Sequence, residues 1–187
     1  MSVFALAASI SPGPVNLVCL SSGSRYPIAR GLVFVSGATL GFLLLFVAVG
    51  LGLHQLFSLW PWLYELLRWA GAAFLLYLCI ALLRASGELS DATDRAPGFG
   101  YGALMQWLNP KAWLAAAAGI SAYTEGGNMH QLLVFTGLYA PICWLSLSCW
   151  VLAGAFFRRW LQQPSRLRWF NRLLAVLLAS SGIAIVL

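Results

Sequence analysis

Charged side chains are scarce in this sequence of 187 residues. Asp, Glu, Lys and Arg together make up 9% of it, whereas 61% of the residues are hydrophobic. Soluble domains carry about 25% charged residues. So few charges cannot cover the water-facing surface of a protein of this size. The composition therefore excludes a soluble domain and predicts an all-α polytopic membrane protein, with the lipid bilayer as its partner.

The sequence also lacks the motifs of enzymes, metal sites and nucleic-acid binding. It has no HExxH, GxSxG or P-loop motif, and no pair of aspartates inside an apolar segment. The four cysteines lie in apolar segments without a CxxC or Cys/His pattern, so we interpret them as small buried side chains. The basic residues form no arm suited to nucleic acid. We expect no enzyme activity, no cofactor, no metal and no nucleic-acid partner.

Six apolar segments each approach the ~20 residues that a helix needs to cross a bilayer. They cover residues 3–22, 31–53, 62–83, 101–123, 131–155 and 169–187. The first segment lacks the basic residues of a signal peptide, and apolar sequence resumes directly after Pro14, so we interpret it as a retained helix. The sequence starts abruptly within it, which leaves open whether residues are missing at the N-terminus.

The basic residues predict how the helices are oriented. Nine of the eleven fall in the loops that follow segments 1, 3 and 5, and the positive-inside rule places those loops in the cytoplasm. The nine are Arg25, Arg30, Arg84, Arg95, Arg158, Arg159, Arg166, Arg168 and Arg172. Both termini are therefore predicted to lie outside the cytoplasm.

Proline interrupts two of the six segments. Ser11-Pro12-Gly13-Pro14 interrupts the first and Asn109-Pro110-Lys111 the fourth. Proline removes a backbone N–H group, and hydrocarbon offers no water to replace the lost hydrogen bond. Breaks at matching places in two halves of a chain indicate a transport site. We interpret Ser11 and Asn109 as N-caps, each followed by a proline in the first helical turn.

Each break is predicted to begin a half-helix inside the membrane. In the first, the free N–H groups of Val15, Asn16 and Leu17 suit a carboxylate; the alternative is a structural kink that neighbouring helices satisfy. The predicted substrate-binding residues are Pro12, Gly13, Pro14, Val15, Asn16, Asn109, Pro110 and Lys111. Secondary candidates are Ser11, Ser36, Thr39 and Thr136. Hydroxyl groups in spanning helices often bond to their own backbone instead.

Lys111 is the ionisable side chain expected deepest in the membrane, about ten residues from either end of its segment and ~15 Å from each interface. A charge at that depth is costly and usually faces a bundle interior. Because burial disfavours the charged amine, Lys111 is also the candidate for proton exchange. The alternative is a lysine that packs against carbonyl groups. No carboxylate lies equally deep, which favours neutral over cationic substrates.

The two halves of the chain are weakly similar at an offset of one hundred residues. Residues 32–37 match 132–137, and Arg68-Trp69 matches Arg168-Trp169. With three helices per half, the second half must be inverted. We therefore predict one transmembrane domain, 1–187, with repeats 1–83 and 101–187 joined by a cytoplasmic loop, 84–100. The spacing of Gly37 and Gly41 predicts a close helix crossing.

Four stretches resemble the lysine exporter (LysE/RhtB) family: Pro12-Gly13-Pro14, residues 31–41, residues 70–78, and Asn-Pro-Lys-Ala at 109–112. The resemblance covers nearly the whole chain, and the first and last stretches are its specific part. It implies a six-helix amino-acid exporter of the bacterial inner membrane, driven by the proton gradient, with functional positions in those two motifs. Val15 departs from the acidic or amide residue common in the family, and residues 121–127 replace an aromatic-proline stretch.

The predicted function is therefore a secondary transporter that exports small amino acids or related metabolites by alternating access, with protons as the coupling ion. The rival hypothesis is a non-transporting membrane subunit that scaffolds a partner complex. An intramembrane enzyme would need an acid–base or nucleophile pair, which is missing. The sequence leaves open the identity of the substrate and the formation of a homo-oligomer.

Overall fold

The computed structural model of the protein describes residues 1–52, 61–84, 96–124 and 128–186. These residues form eight α-helices and one short 3-10 helix, and no strand occurs among them. The helices are α1 (Ser2–Ile10), α2 (Pro14–Arg25), α3 (Ile28–Gly50), α4 (Pro61–Arg84), α5 (Phe99–Trp107), α6 (Pro110–Tyr123), α7 (Met129–Phe157) and α8 (Pro164–Val186). The 3-10 helix, Trp160–Gln162, lies between α7 and α8.

Several of these helices have the properties of membrane spans. By length and composition, α3 and α7 can each cross a bilayer. The pair α1 and α2 passes the same test together, although it is bent by 61° at the break between them. Large apolar side chains such as Leu44 and Leu152 point outward, where a bilayer would cover them. The chain is thus a helical membrane protein.

Two helices begin earlier than hydropathy predicts. α3 begins at Ile28, so Arg30 lies in its first turn, and α8 begins at Pro164, five residues ahead of the predicted start. Proline is well suited to the first turn because the N–H group it lacks has no partner there. The predicted loop positions are therefore wrong for the following arginines, which lie on helices: Arg30, Arg166, Arg168 and Arg172, and also Arg25 and Arg84, the last residues of α2 and α4.

Some predicted features fall outside the described residues. Most of the predicted connecting loop, 85–95 with Arg95, lies there, as do the predicted ends of the second span at 53 and of the sixth at 187.

The core lies where α3 crosses α7, and aromatic rings fill it. Phe42 and Tyr139 have ring centroids 4.7 Å apart, and Phe46 and Phe135 meet edge-to-face at 5.0 Å. All four side chains are buried. Such pairs contribute about 0.5–1.5 kcal/mol beyond the area they bury. The two longest helices are therefore held at their centre by a rigid cluster.

The remaining helices are arranged reciprocally around this core. α1 and α2 pack on α7, whereas α5 and α6 pack on α3. The third pair is α4 with α8. The broken pair of the first half thus packs against α7 of the second half, and the broken pair of the second half packs against α3 of the first half.

Glycines permit the closest of these contacts, between α3 and α5. A Cβ atom on Gly37 would lie 1.9 Å from the carbonyl oxygen of Phe99, and one on Gly41 would lie 2.6 Å from the Cα of Ala103. The close crossing predicted for the small-xxx-small pattern is confirmed. Gly137, which matches Gly37 in the sequence repeat, has no described atom within 4 Å of such a Cβ. The repeat therefore does not extend to the packing of these two glycines.

Candidate functional site

The first break separates α1 from α2, and it differs from the predicted capping pattern. Ser11 ends α1 rather than capping α2: its hydroxyl donates to the carbonyl of Ala8. α2 has Gly13 as N-cap and begins at Pro14. The reason is that proline forces the preceding residue into extended backbone, and Ser11 and Gly13 both precede prolines. The predicted cap role of Ser11 is therefore wrong.

The free N–H groups at the start of α2 also need one correction. The N–H of Leu17 donates to the carbonyl of Gly13, 3.0 Å away, and so closes the first helical turn. This leaves Val15 and Asn16 as the residues of the first turn whose amides have no intrahelical acceptor. Both residues are buried.

The carbonyl groups released at the first break each find a donor. The backbone N–H of Ser11 donates to the carbonyl of Ala7, and its hydroxyl donates to the carbonyl of Ala8. The side-chain amide of Asn16 donates to the carbonyl of Ser9 at 2.8 Å. The indole N–H of Trp150, on α7, donates to Ile10 at 3.1 Å. Unpaired carbonyls would be costly in hydrocarbon. The break is thus satisfied by protein groups from several elements.

The second break separates α5 from α6. Asn109 is the N-cap of α6, and its side-chain oxygen accepts a hydrogen bond from the backbone N–H of Lys111 at 3.2 Å. Pro110 is the first residue of the helix. The last carbonyl of α5, that of Trp107, accepts from the indole N–H of Trp113 at 2.8 Å. In both breaks a tryptophan thus satisfies the last residue of the first half-helix.

The side chain of Lys111 joins the two breaks. Its Nζ atom donates to the carbonyl of Ser11 at 2.6 Å, to the hydroxyl of Ser11 at 2.8 Å and to the carbonyl of Pro12 at 3.3 Å. All three N–H bonds of an ammonium group are therefore used. The residue is half-buried, and the contacts are those of a lysine packed against carbonyls.

Gly13 makes room for the Lys111 side chain. A Cβ atom on Gly13 would lie 2.9 Å from Cδ and 3.2 Å from Nζ of Lys111. The short Pro-Gly-Pro segment thus passes directly beside the lysine, and a larger residue at its centre would displace the amine.

A small cavity of about 30 Å³ lies between the two breaks, enough for about two water molecules. Its polar lining residues come from both breaks and from α7: Ser9, Asn16, Gln106, Asn109, Lys111 and Tyr139. No carboxylate lines it among the residues that the structure describes. The site thus combines one cation with amides and hydroxyls, a set that suits a small anionic or zwitterionic group.

The predicted site residues divide into two groups. Those that line the cavity are Val15, Asn16, Asn109 and Lys111. Those that shape the breaks without lining the cavity are Ser11, Pro12, Gly13, Pro14 and Pro110.

The three secondary hydroxyl residues lie outside the cavity lining. Ser36 and Thr136 donate to the carbonyls of Leu32 and Leu132, four residues earlier on their own helices, at 2.9 and 2.8 Å. Thr39 is buried and its hydroxyl lies 4.0 Å from the sulfur of Cys143. Among the described contacts, these hydroxyl groups therefore bond to the backbone of their own helix or pack against a neighbouring side chain.

Sequence reasoning missed three polar residues of the cavity. Gln106 precedes Asn109 by one helical turn inside an apolar run, a signal that could have identified it. Ser9 and Tyr139 carry no such signal, because hydropathy does not indicate which face of a helix meets the other half. Ser9 is informative all the same, because its buried hydroxyl lies beside Tyr139 and Cys143, which line the same cavity.

Replacing Trp150 by phenylalanine is expected to destabilise the protein by about 1–3 kcal/mol, because the carbonyl of Ile10, at an exposed position of the break, would lose its donor where hydrocarbon supplies no other. Reversible unfolding in mixed micelles measures this. The matched control is Trp144→Phe, because the indole of Trp144 donates to the hydroxyl of Ser36, which already donates elsewhere. Equal losses in the two variants would contradict the role assigned to Trp150.

The chain is similar to known proteins over nearly its whole length. Residues 6–187 match the model of the family described as LysE type translocator. A cysteine/O-acetylserine efflux protein of Salmonella choleraesuis (strain SC-B67) is 26% identical over 184 residues, which cover 97% of this chain and 93% of the relative. A protein of the same name from Escherichia coli O1:K1 / APEC is also 26% identical, with the same coverage. No solved structure gives a significant match. These relatives are transporters rather than enzymes, and the chain belongs to the LysE type translocator family.

Proposed function

We propose that this protein exports small neutral amino acids or related metabolites across the bacterial inner membrane, in exchange for protons. The observation that carries the proposal is the bond from the amine of the second break to the carbonyls of the first, beside a polar cavity. A site closed by a side chain that reaches from one break to the other has the form that alternating access requires.

The proposed architecture is a 3+3 inverted repeat of six spans. The first and fourth spans are the broken pairs α1–α2 and α5–α6, and the repeats are 1–83 and 101–187, joined by 84–100. The reciprocal packing of each broken pair on the long helix of the other half supports a two-fold relation. With the basic helix ends in the cytoplasm, both termini lie outside it.

A zwitterionic amino acid fits the hydrogen-bond pattern of the site. In the empty protein the Lys111 ammonium donates to the carbonyls of Ser11 and Pro12. The α-ammonium group of a substrate can take over those carbonyls, while the α-carboxylate accepts from the released Lys111 and from the amides that begin α2. Every group then keeps a partner. The substrate thus inserts into the contact that joins the two breaks and lets them separate.

Proton exchange follows from the same contact. The Lys111 ammonium and the ammonium group of the substrate compete for the same carbonyls. A proton taken up by Lys111 from outside re-forms its bonds to those carbonyls and displaces the substrate, and release of that proton to the cytoplasm frees them for the next substrate, so that proton entry is coupled to substrate exit. Lys111 is the proposed coupling residue because no carboxylate lines the described part of the cavity.

The substrates are proposed to be small and uncharged in their side chains. The described cavity lining offers no carboxylate to hold a lysine or arginine side chain. The efflux proteins that this chain resembles are named for cysteine and O-acetylserine, which are small neutral amino acids. Cysteine, O-acetylserine, serine and alanine are therefore the first compounds to test.

Counterflow in proteoliposomes tests the function. We expect labelled neutral amino acids to accumulate when the unlabelled compound is inside, and a pH gradient to drive net transport. N-acetyl and ester derivatives should not exchange, because each lacks one of the two charged groups. Absence of flux for every compound, together with full tolerance of Pro14→Ala and Pro110→Ala, would favour the scaffolding subunit instead.

A further inference from the structure

A second, larger cavity runs along α2 from Leu17 to Arg25. Its volume is about 450 Å³, and α2, α4, the start of α5 and α8 form its walls. Pockets that hold small ligands measure about 300–1,000 Å³. This cavity therefore has room for an amino acid, which the 30 Å³ cavity beside Lys111 lacks. Its nearest lining residue, Leu17, directly follows Asn16 of the central cavity, and Arg25 lies eight residues, about 12 Å, further along α2.

Arg25, the last residue of α2, is the cation on the wall of this cavity. Its side chain is half-buried, and one terminal nitrogen donates to the side-chain oxygen of Asn171, on α8, at 2.7 Å. Its Nε atom is buried without a partner among the described residues. A guanidinium carries five N–H bonds in a planar fork that matches a carboxylate. The bond to the neutral amide of Asn171 uses one of them.

Two neighbouring polar groups are also unpaired within the described structure. The hydroxyl of Ser22, which lines the cavity, and the side-chain nitrogen of Asn171 are buried and lack partners. Both residues are only 2% exposed. Buried polar groups normally have hydrogen-bond partners, so several unpaired ones around one cavity indicate a polar ligand.

We propose that this cavity is a loading subsite, where Arg25 captures the carboxylate of an amino acid from the cytoplasm before the amino acid reaches Lys111. α2 and α7 cross where a Cβ on Gly23 would touch Val151, which places Arg25 at the end of the molecule where α7 reaches Arg158. The positive-inside rule assigns that basic end to the cytoplasm. The inference rests on the proposed export function and adds where export begins.

Replacing Arg25 by glutamine is expected to raise the KM for substrate offered at the cytoplasmic face about tenfold, with the maximal rate within about twofold, because a charge-assisted contact is lost. The measurement is uptake of radiolabelled O-acetylserine into inside-out vesicles. Arg30→Gln is the matched control, since Arg30 is exposed at the same end of the molecule and does not line the cavity. Equal KM values for the two variants would overturn the proposal.

Asn171→Asp distinguishes substrate binding by Arg25 from a purely structural role in which Arg25 ties α2 to α8. The two roles predict different KM values for this variant. A carboxylate at this position strengthens the tie but competes with the substrate for the guanidinium. If Arg25 binds substrate, we expect the KM to rise about tenfold while the unfolding temperature stays level or rises. An unchanged KM would show that Arg25 serves only to hold the helices together.

A triple variant tests the acidic residues of the predicted connecting loop, which the proposal does not involve in substrate capture. Glu88→Gln, Asp91→Asn and Asp94→Asn together should leave the KM unchanged. A KM as high as that of Arg25→Gln would overturn the proposal.

Equilibrium binding separates this proposal from the transport mechanism. Purified Lys111→Met protein in detergent is expected to bind O-acetylserine weakly, and the double variant with Arg25→Gln is expected to bind it at least about tenfold more weakly. Equal binding by the two proteins would overturn the loading subsite even if Lys111 proves essential. Loss of the Arg25 effect in purely zwitterionic vesicles would assign the site to an anionic lipid instead. Full export by Lys111→Met would contradict the role proposed for Lys111 and leave the loading subsite untouched, whereas absence of any flux in the unmodified protein would contradict the proposed function.

Discussion

Replacing Lys111 by methionine is expected to lower the rate of amino-acid export at least about tenfold and to abolish its dependence on a pH gradient. The variant keeps the length of the side chain but removes the amine that is proposed to bond the substrate carboxylate and to exchange protons. A hydrogen bond to a charged group contributes about 1.5–3 kcal/mol, equivalent to roughly 10- to 150-fold in affinity. Initial rates of counterflow and of gradient-driven transport in proteoliposomes measure the two effects.

Lys111→Arg is the control that separates binding from coupling. Arginine stays charged and can bind a carboxylate, but it does not release a proton at any pH that the cell reaches. We expect exchange of labelled for unlabelled substrate to persist in this variant while gradient-driven accumulation is lost. Full transport by Lys111→Met, or gradient-driven accumulation by Lys111→Arg, would remove Lys111 from the mechanism.

Lys111 is also the only lysine in the chain, which permits a direct test of its accessibility. An amine-reactive probe modifies this side chain and the N-terminus, and peptide mass spectrometry distinguishes the two. If substrate inserts at the breaks, its presence should slow modification of Lys111 and leave the N-terminal reaction unchanged.

Replacing Gly154 by leucine is expected to destabilise the protein by about 3 kcal/mol or more and to sharply reduce the folded protein recovered from membranes. At the crossing of α2 and α7, a Cβ on Gly154 would lie 2.0 Å from the carbonyl oxygen of Leu20, and one on Gly23 would lie 1.9 Å from that of Val151. Both contacts are with backbone, which cannot rotate away as a side chain does. Overpacking of this kind forces helices apart.

Gly137→Leu provides the matched control, because Gly137 lies on the same helix, α7, with no described atom near its Cβ direction. We expect that variant to fold and to unfold at nearly the wild-type temperature. Gel filtration in detergent and thermal unfolding compare the two. A Gly154→Leu protein as stable as Gly137→Leu would show that α2 and α7 are not packed as closely as described.

Local rules predicted the second break better than the first. Asn109 followed by Pro110 is a cap and a first-turn residue, and nothing nearby competes with that pattern. At the first break two prolines stand two residues apart, so the extended backbone forced ahead of the second one moves the helix start to Pro14. The prediction placed the free N–H groups correctly after Pro14 but assigned the cap to Ser11, whereas Gly13 is the N-cap.

Residues brought together by packing were harder to predict. Hydropathy located the helices but placed the start of α8 at 169, where the apolar run begins, although Pro164 marks the earlier start. Arg25 was assigned to a loop because it follows an apolar run; its partner Asn171 is 146 residues away. No local pattern reports such a neighbour. The same holds for Ser9 and Tyr139, which line the central cavity from two different helices.

The bond from Lys111 to the first break has a consequence for the energy metabolism of the cell. An exporter that stood open without cargo would let protons and water leak inward and dissipate the membrane potential. Here the lysine amine occupies the carbonyls that the ammonium group of the substrate is proposed to use, and the space between the breaks has room for only about two waters. In the proposed mechanism the empty protein is therefore closed against leakage by one of its own side chains, and a substrate with both charges is needed to displace that side chain.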